Sequence, residues 1–79
     1  MHITVKFFAS LRERVGRAEV RLDAPAPLSA AEVWRRAADG APMPANTLVA
    51  VNMEYADRER EVRPGDEVAF FPPVTGGAG

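Results

Sequence analysis

The chain has 79 residues, 47% apolar and 27% charged, which makes one small globular domain and leaves no room for a second core. Its net charge is −1, and its arginines alternate with acids, as in Arg12-Glu13-Arg14 and Arg58-Glu59-Arg60-Glu61, which excludes the basic stripe of a nucleic-acid binder. It has no cysteine, so disulfides, thiolate metal sites and a thiol nucleophile are excluded, and no apolar run approaches the length of a membrane span.

Residues 2–8 alternate. Ile3, Val5 and Phe7 share one face and His2, Thr4, Lys6 and Phe8 the other, the period of a half-buried strand. The opening residues pass straight into this alternation without a signal-peptide pattern, and with the lack of cysteine this gives the cytoplasm as the expected location. Residues 9–15 predict a short helical turn that ends near Gly16. Residues 18–23 alternate again, with Ala18, Val20 and Leu22 inward and Glu19, Arg21 and Asp23 outward, so the two strands read as a hairpin. Ala24-Pro25-Ala26-Pro27 is a loop, because proline brings no donor to a sheet.

The main helix follows. Ser29-Ala30-Ala31-Glu32 fits a capping box, in which the hydroxyl and the carboxylate each satisfy an orphan N–H, and Leu28 and Val33 sit where a hydrophobic staple forms. Val33, Trp34, Ala37 and Ala38 give an apolar stripe at helical spacing, which marks Trp34 as core rather than a ligand contact. Asp39-Gly40 ends the helix, with Gly40 expected in the left-handed cap position. Residues 41–46, with Pro42 and Pro44, are a connector.

Residues 47–53, rich in valine and leucine, read as a largely buried strand, and residues 52–57 as a turn region in which Asn52 satisfies local backbone groups. Residues 60–62 are a short strand. Arg63-Pro64-Gly65-Asp66 is a type II turn, since proline sets the first central φ and glycine permits the positive φ that follows. Residues 67–71 form the last strand, Val68 and Phe70 inward, with Asp66 and Glu67 read as solvated charges.

A hairpin, a helix and further strands make an α+β domain whose helix covers one sheet face. The expected sheet is mixed, with four to five strands and the last strand parallel beside the first, which is the β-grasp or ubiquitin-like arrangement. Phe8 and Phe71 then fall at the same end of the sheet on its helix-free face, an exposed apolar patch of the kind that marks interaction sites, with Arg12 at its rim.

The patch stands at the root of Pro72-Pro73-Val74-Thr75-Gly76-Gly77. Two prolines favour an extended path away from the body. A diglycine lacks Cβ atoms, so it fits a narrow channel and leaves the glycine carbonyl open to approach. Residues 1–75 are accordingly read as the folded domain and residues 76–79 as a flexible tail. No catalytic constellation accompanies them: His2, Ser10, Ser29 and Asp39 do not make a credible triad, and no metal-ligand cluster or phosphate-cradling loop is present.

The blocks Val5-Lys6-Phe7-Phe8-Ala9 with Leu11-Arg12-Glu13, Leu48-Val49-Ala50-Val51-Asn52, and Gly65-Asp66-Glu67-Val68-Ala69-Phe70-Phe71-Pro72-Pro73-Val74-Thr75-Gly76-Gly77 resemble the MoaD-type sulfur carriers, the small subunits of molybdopterin synthase. The last block is the specific one. The resemblance implies that the carboxyl of Gly77 is adenylated by an ATP-using, E1-like activating enzyme and converted to a thiocarboxylate with a sulfur donor system. It implies that the tail, with Gly76, then enters the synthase large subunit and gives sulfur to a pterin precursor. Phe8, Arg12, Phe71, Pro72, Pro73, Val74 and Thr75 are the expected partner contacts; no bound cofactor, metal, nucleic acid or membrane partner is implied, and the chain by itself is not an enzyme.

One departure matters. Ala78 and Gly79 follow Gly77, so its carboxyl is held in a peptide bond. Trimming of the two residues is the favoured expectation; the alternatives are Gly79 as the activated terminus or an inert tail. Carriers for thiamine synthesis, tRNA thiolation or conjugation to lysines would share this chemistry, and a non-covalent β-grasp binding module would need none of it.

Overall fold

The computed structural model describes residues 2–24 and 26–73. Val74, Thr75 and the expected tail of residues 76–79, with Gly76 and Gly77, lie outside them. The elements in order are β1 (His2–Phe7), α1 (Ser10–Val15), β2 (Glu19–Asp23), β3 (Leu28–Ser29), α2 (Ala30–Ala37), β4 (Leu48–Val51), β5 (Glu54–Ala56), β6 (Glu61–Val62) and β7 (Glu67–Phe71).

Five strands form one sheet in the order β2-β1-β7-β4-β5, and β3 pairs with β6 in a small second sheet. β7 runs parallel to β1, with Val5 opposite Val68 and Phe7 opposite Phe70. It runs antiparallel to β4, with Leu48 opposite Phe71 and Ala50 opposite Ala69. This is the β-grasp topology that the order of strands and helix predicts.

The alternation sets the core. Ile3, Val5, Phe7, Val49, Val51, Val68 and Phe70 point to one face and meet Ala30, Val33, Trp34 and Ala37 of α2. Trp34 is the keystone. Its ring meets Phe7 and Phe70 edge-on at 5.4 and 5.0 Å, and its Nε1–H donates to the Ala41 carbonyl at 2.8 Å. The largest core side chain thus buries area while its single polar atom stays paired.

The structure corrects several local expectations. The capping box is half formed: Ser29 Oγ accepts the Glu32 N–H at 3.1 Å. The Glu32 carboxylate instead accepts from Arg35 and Arg36, whose guanidinium groups hold its pKa down to about 2. Two more N–H groups at the helix start, those of Ala30 and Ala31, donate to the carbonyls of Arg60 and Arg58. The loop before β6 therefore satisfies two orphan N–H groups that a capping box leaves open. At the other end Gly40 is left-handed as expected, φ 84°, but it shares that conformation with Asp39, φ 60°, which comes first after the Ala38 cap. The Gly40 and Asp39 N–H groups donate to the carbonyls of Arg35 and Arg36, the paired bonds of a Schellman motif.

Ala18, expected inward, is exposed and precedes β2, where its carbonyl accepts from the Phe7 N–H. The β1–β2 connection holds α1, the helical turn expected of residues 9–15, which buries Leu11 and ends at Gly16 in the left-handed conformation. Residues 52–57 are not a simple turn region. Asn52 and Met53, φ 50° and 70°, are the two central residues of a hairpin loop, and Val51 faces Glu54 across it. Positive φ at both positions is the type I′ geometry that matches the twist of a hairpin. At Arg63-Pro64-Gly65-Asp66 the turn forms as expected, with Gly65 at φ 98° and the Asp66 N–H on the Arg63 carbonyl.

Candidate functional site

The face of the sheet opposite α2 is divided. The β2 edge presents Glu19, Arg21 and Asp23 to solvent. The β7–β4–β5 side is apolar. Ala50 and Ala69 face each other across β4 and β7, and Tyr55 stands opposite Ala50 on β5. Small side chains at the centre with large ones around them make a groove, floored by Ala50 and Ala69 and walled by Phe8, Phe71, Tyr55 and Met53.

Backbone register places each wall. Phe7 pairs with Phe70, and the Phe8 N–H donates to the Phe70 carbonyl, so Phe8 comes to lie beside Phe71. Their rings stack with centroids 4.9 Å apart and planes 8° from parallel. Tyr55 tilts toward Phe71 at 6.4 Å. The I′ loop lifts Met53, which is 93% exposed, over the open side, while Tyr55 is 76% and Phe8 42% exposed. Three large apolar side chains so exposed are thus gathered on one face of a small domain.

Glu67 borders the groove and pairs with Lys6 at 3.5 Å. Two exposed ends in water make this a weak contact that closes the polar margin rather than a stabilising lock. Behind the margin, Asn52 ties β4 to β7. Its N–H donates to the Glu67 carbonyl, its Oδ1 accepts the Glu67 N–H at 3.0 Å, and its Nδ2 donates to Asp66 Oδ1 at 3.1 Å. Asp66 Oδ2 accepts the Arg63 N–H at 2.8 Å. That backbone bond, and then Asn52, hold the Asp66 carboxyl below its usual range. Asn52 thus serves a strand fourteen and fifteen positions away rather than its own turn, and Asp66 is a turn-closing acceptor rather than a merely solvated charge.

Of the residues expected at the site, the structure brings Phe8 and Phe71 together. Pro72, half-buried, and Pro73, exposed, continue from them. Arg12 is exposed on α1 and does not line the groove. Val74, Thr75, Gly76 and Gly77 lie outside the described residues. Sequence reasoning missed Met53, Tyr55 and the alanine floor. Asn52 was the available signal, because it is among the few residues that favour the first position of a two-residue hairpin loop. Methionine in place of glycine at the second position concealed it.

Glu67 and Tyr55 are the titratable side chains among the described residues that line the groove. No group of three or more metal-ligating side chains occurs among the described residues, and no helix among them is long and apolar enough to cross a membrane.

Comparison with known proteins agrees with this geometry. The pattern of the ThiS family matches residues 5–77. The chain is 40% identical to the molybdopterin synthase sulfur carrier subunit of Escherichia coli, over 95% of this chain and 99% of that one. It is 38% identical to the same subunit of Haemophilus influenzae with equal coverage. Among solved structures it superposes on SAMP1 from Haloferax volcanii with a TM-score of 0.75 at 29% identity, over 98% of this chain and 100% of that one. Urm1 from Trypanosoma brucei, 21% identical with a TM-score of 0.69 over 96% of this chain and 95% of that one, shares the fold. A β-grasp domain with these blocks, matched from its first strand through its diglycine, is a member of the ThiS family.

Proposed function

We propose that this chain is the sulfur carrier of a molybdopterin synthase, working in the cytoplasm with a large catalytic subunit and an ATP-dependent activating enzyme. The observation that carries the reading is near-full-length identity, up to 40%, to subunits of that name. The apolar groove at the root of the Phe71-Pro72-Pro73 exit supports it physically, since a carrier needs a docking face beside its reactive end.

The chemistry follows from what the chain lacks. Without cysteine it has no side-chain thiol to hold the sulfur, and a backbone terminus can take that role. A carboxylate is a poor electrophile. Attack of the Gly77 carboxylate on the α-phosphorus of ATP expels pyrophosphate and leaves an acyl adenylate. A donor at the sulfide level then attacks the acyl carbon, AMP leaves, and a thiocarboxylate remains. The large subunit supplies the catalytic groups, and Gly76 and Gly77 pass its channel because they lack Cβ atoms. Removal of Ala78 and Gly79 precedes activation, because the Gly77 carboxyl is otherwise an amide.

A second reading, a carrier that modifies proteins, is favoured by one observation: full coverage of SAMP1, whose name is small archaeal modifier protein 1. Intact mass spectrometry of the protein from its native host tests the first step of both. Loss of Ala78-Gly79 and replacement of one terminal oxygen by sulfur is the expected result. An untrimmed, unmodified chain in the presence of activating enzyme, ATP and sulfur donor would overturn carrier function. Co-purification with a synthase large subunit, as against attachment to lysines of other proteins, separates the two pathways.

A further inference from the structure

Met53 stands apart from every other side chain of the groove. It is 93% exposed, it occupies the second central position of the I′ loop at φ 70°, and it is one of the residues that line the groove. Met43, by contrast, is half-buried and packed against the core. A hairpin loop that holds a bare methionine where glycine fits best has placed an oxidisable atom in open solvent on the surface used for docking.

We propose that Met53 is a site of oxidation by peroxides, and that its conversion to the sulfoxide weakens docking of the large subunit. The inference rests on the docking reading given above. The step balances simply. The sulfur lone pair attacks one oxygen of hydrogen peroxide, an S–O bond forms as the O–O bond breaks, and the second oxygen leaves as water after proton transfer. Sulfur is oxidised by two electrons and the peroxide is reduced by two. The product carries a strong hydrogen-bond acceptor where a soft apolar atom stood. Phe8, Ala50, Ala69 and Phe71 offer it no side-chain donor, Glu67 is an acceptor, and the Tyr55 hydroxyl is the one donor among these lining residues, so a partner that covers the groove must bury a polar oxygen where it had met an apolar sulfur. The reverse also holds: a docked large subunit covers the sulfur and slows its oxidation.

The test uses the full chain and the large subunit. Protein is treated with graded hydrogen peroxide, and sulfoxide at each methionine is followed by peptide mapping. The dissociation constant for the large subunit is then measured by calorimetry before and after treatment. Met53 is expected to oxidise ahead of Met43, the oxidised protein to bind roughly tenfold or more weakly, and the complex to protect Met53. A Met53→Leu variant, compared with itself untreated, should lose no affinity under the same treatment. Oxidation of Met43 at the same rate, or an unchanged dissociation constant with Met53 fully converted, overturns the proposal. If the untreated chain does not bind the large subunit at all, the docking reading fails and the effect on docking fails with it, an outcome distinct from unchanged binding after oxidation.

Discussion

Phe8 and Phe71 stack at 4.9 Å on the helix-free face, while their neighbours Phe7 and Phe70 stack at 5.8 Å beneath Trp34 on the other. Two adjacent parallel strands each spend one phenylalanine on the core and the next on the surface. The period of two in a strand makes this division unavoidable, and the parallel register places both pairs at the end where the chain leaves the sheet.

The two layers separate stability from binding. Phe70 is fully buried, so Phe70→Ala should cost about 3–5 kcal/mol, a large share of what so small a domain has. Phe71→Ala removes a half-buried ring and one stacking partner, at about 1 kcal/mol. Its larger effect falls on docking, where loss of an aromatic anchor costs about 2 kcal/mol or more. Urea melts paired with titration against the large subunit check both. If Phe71→Ala unfolds the domain, the assignment of that ring to the surface layer is wrong.

The sequence made this division legible because Ile3, Val5 and Phe7 in one strand and Val68 and Phe70 in the other keep a period of two up to each phenylalanine pair. The helix was legible for a similar reason: Leu28, Ser29, Val33 and Trp34 carry start signal and stripe together. What failed was one local pairing lost to another, and one set of contacts that exists only once the sheet has formed. Glu32 had two arginines within one turn and took them in preference to the Ser29 N–H. Asn52 met Asp66 and Glu67 only after the sheet had formed. The fifth strand stayed hidden because Glu54-Tyr55-Ala56 is short and its preceding loop carries methionine at a position where glycine signals a hairpin. With that strand went half of the groove wall.

Strain sits beside the site. Ala9, between Phe8 and α1, has φ 53° and ψ −129°, a conformation open to glycine and costly for any residue with a Cβ. Ala9→Gly should therefore stabilise the fold, by about 1 kcal/mol after the greater unfolded-state freedom of glycine is subtracted. A rise in the urea midpoint with an unchanged m-value is the expected observation. A fall in the midpoint would mean that the alanine conformation is not strained.

Trp34 offers a test of the core that does not depend on any partner. Trp34→Phe keeps an aromatic ring between Phe7 and Phe70 but removes the Nε1–H that the Ala41 carbonyl accepts. The lost volume and the lost donor together should cost about 2–4 kcal/mol. Amide exchange should quicken at the connector after α2, where Ala41 is anchored, more than in β1. Equal quickening everywhere would show that the bond does not hold the connector.

Asp66 ties acid stability to the turn that feeds β7. Its folded pKa is depressed, first by the Arg63 N–H and then by Asn52. A depressed carboxylate contributes stability that is complete above the unfolded value of about 3.9 and is lost as pH falls through the lower folded value. Asp66→Asn removes the charge and retains one acceptor, so the variant should be less stable than the parent at neutral pH. The gap should close in acid, where the parent is protonated as well. Denaturant midpoints measured for both proteins from neutral pH downward check the sign. Because Asn52 joins Asp66 to the loop that carries Met53, the same titration should loosen that loop in the parent and leave it unchanged in Asp66→Asn. A gap that stays constant with pH would show that charge at position 66 does not stabilise the turn.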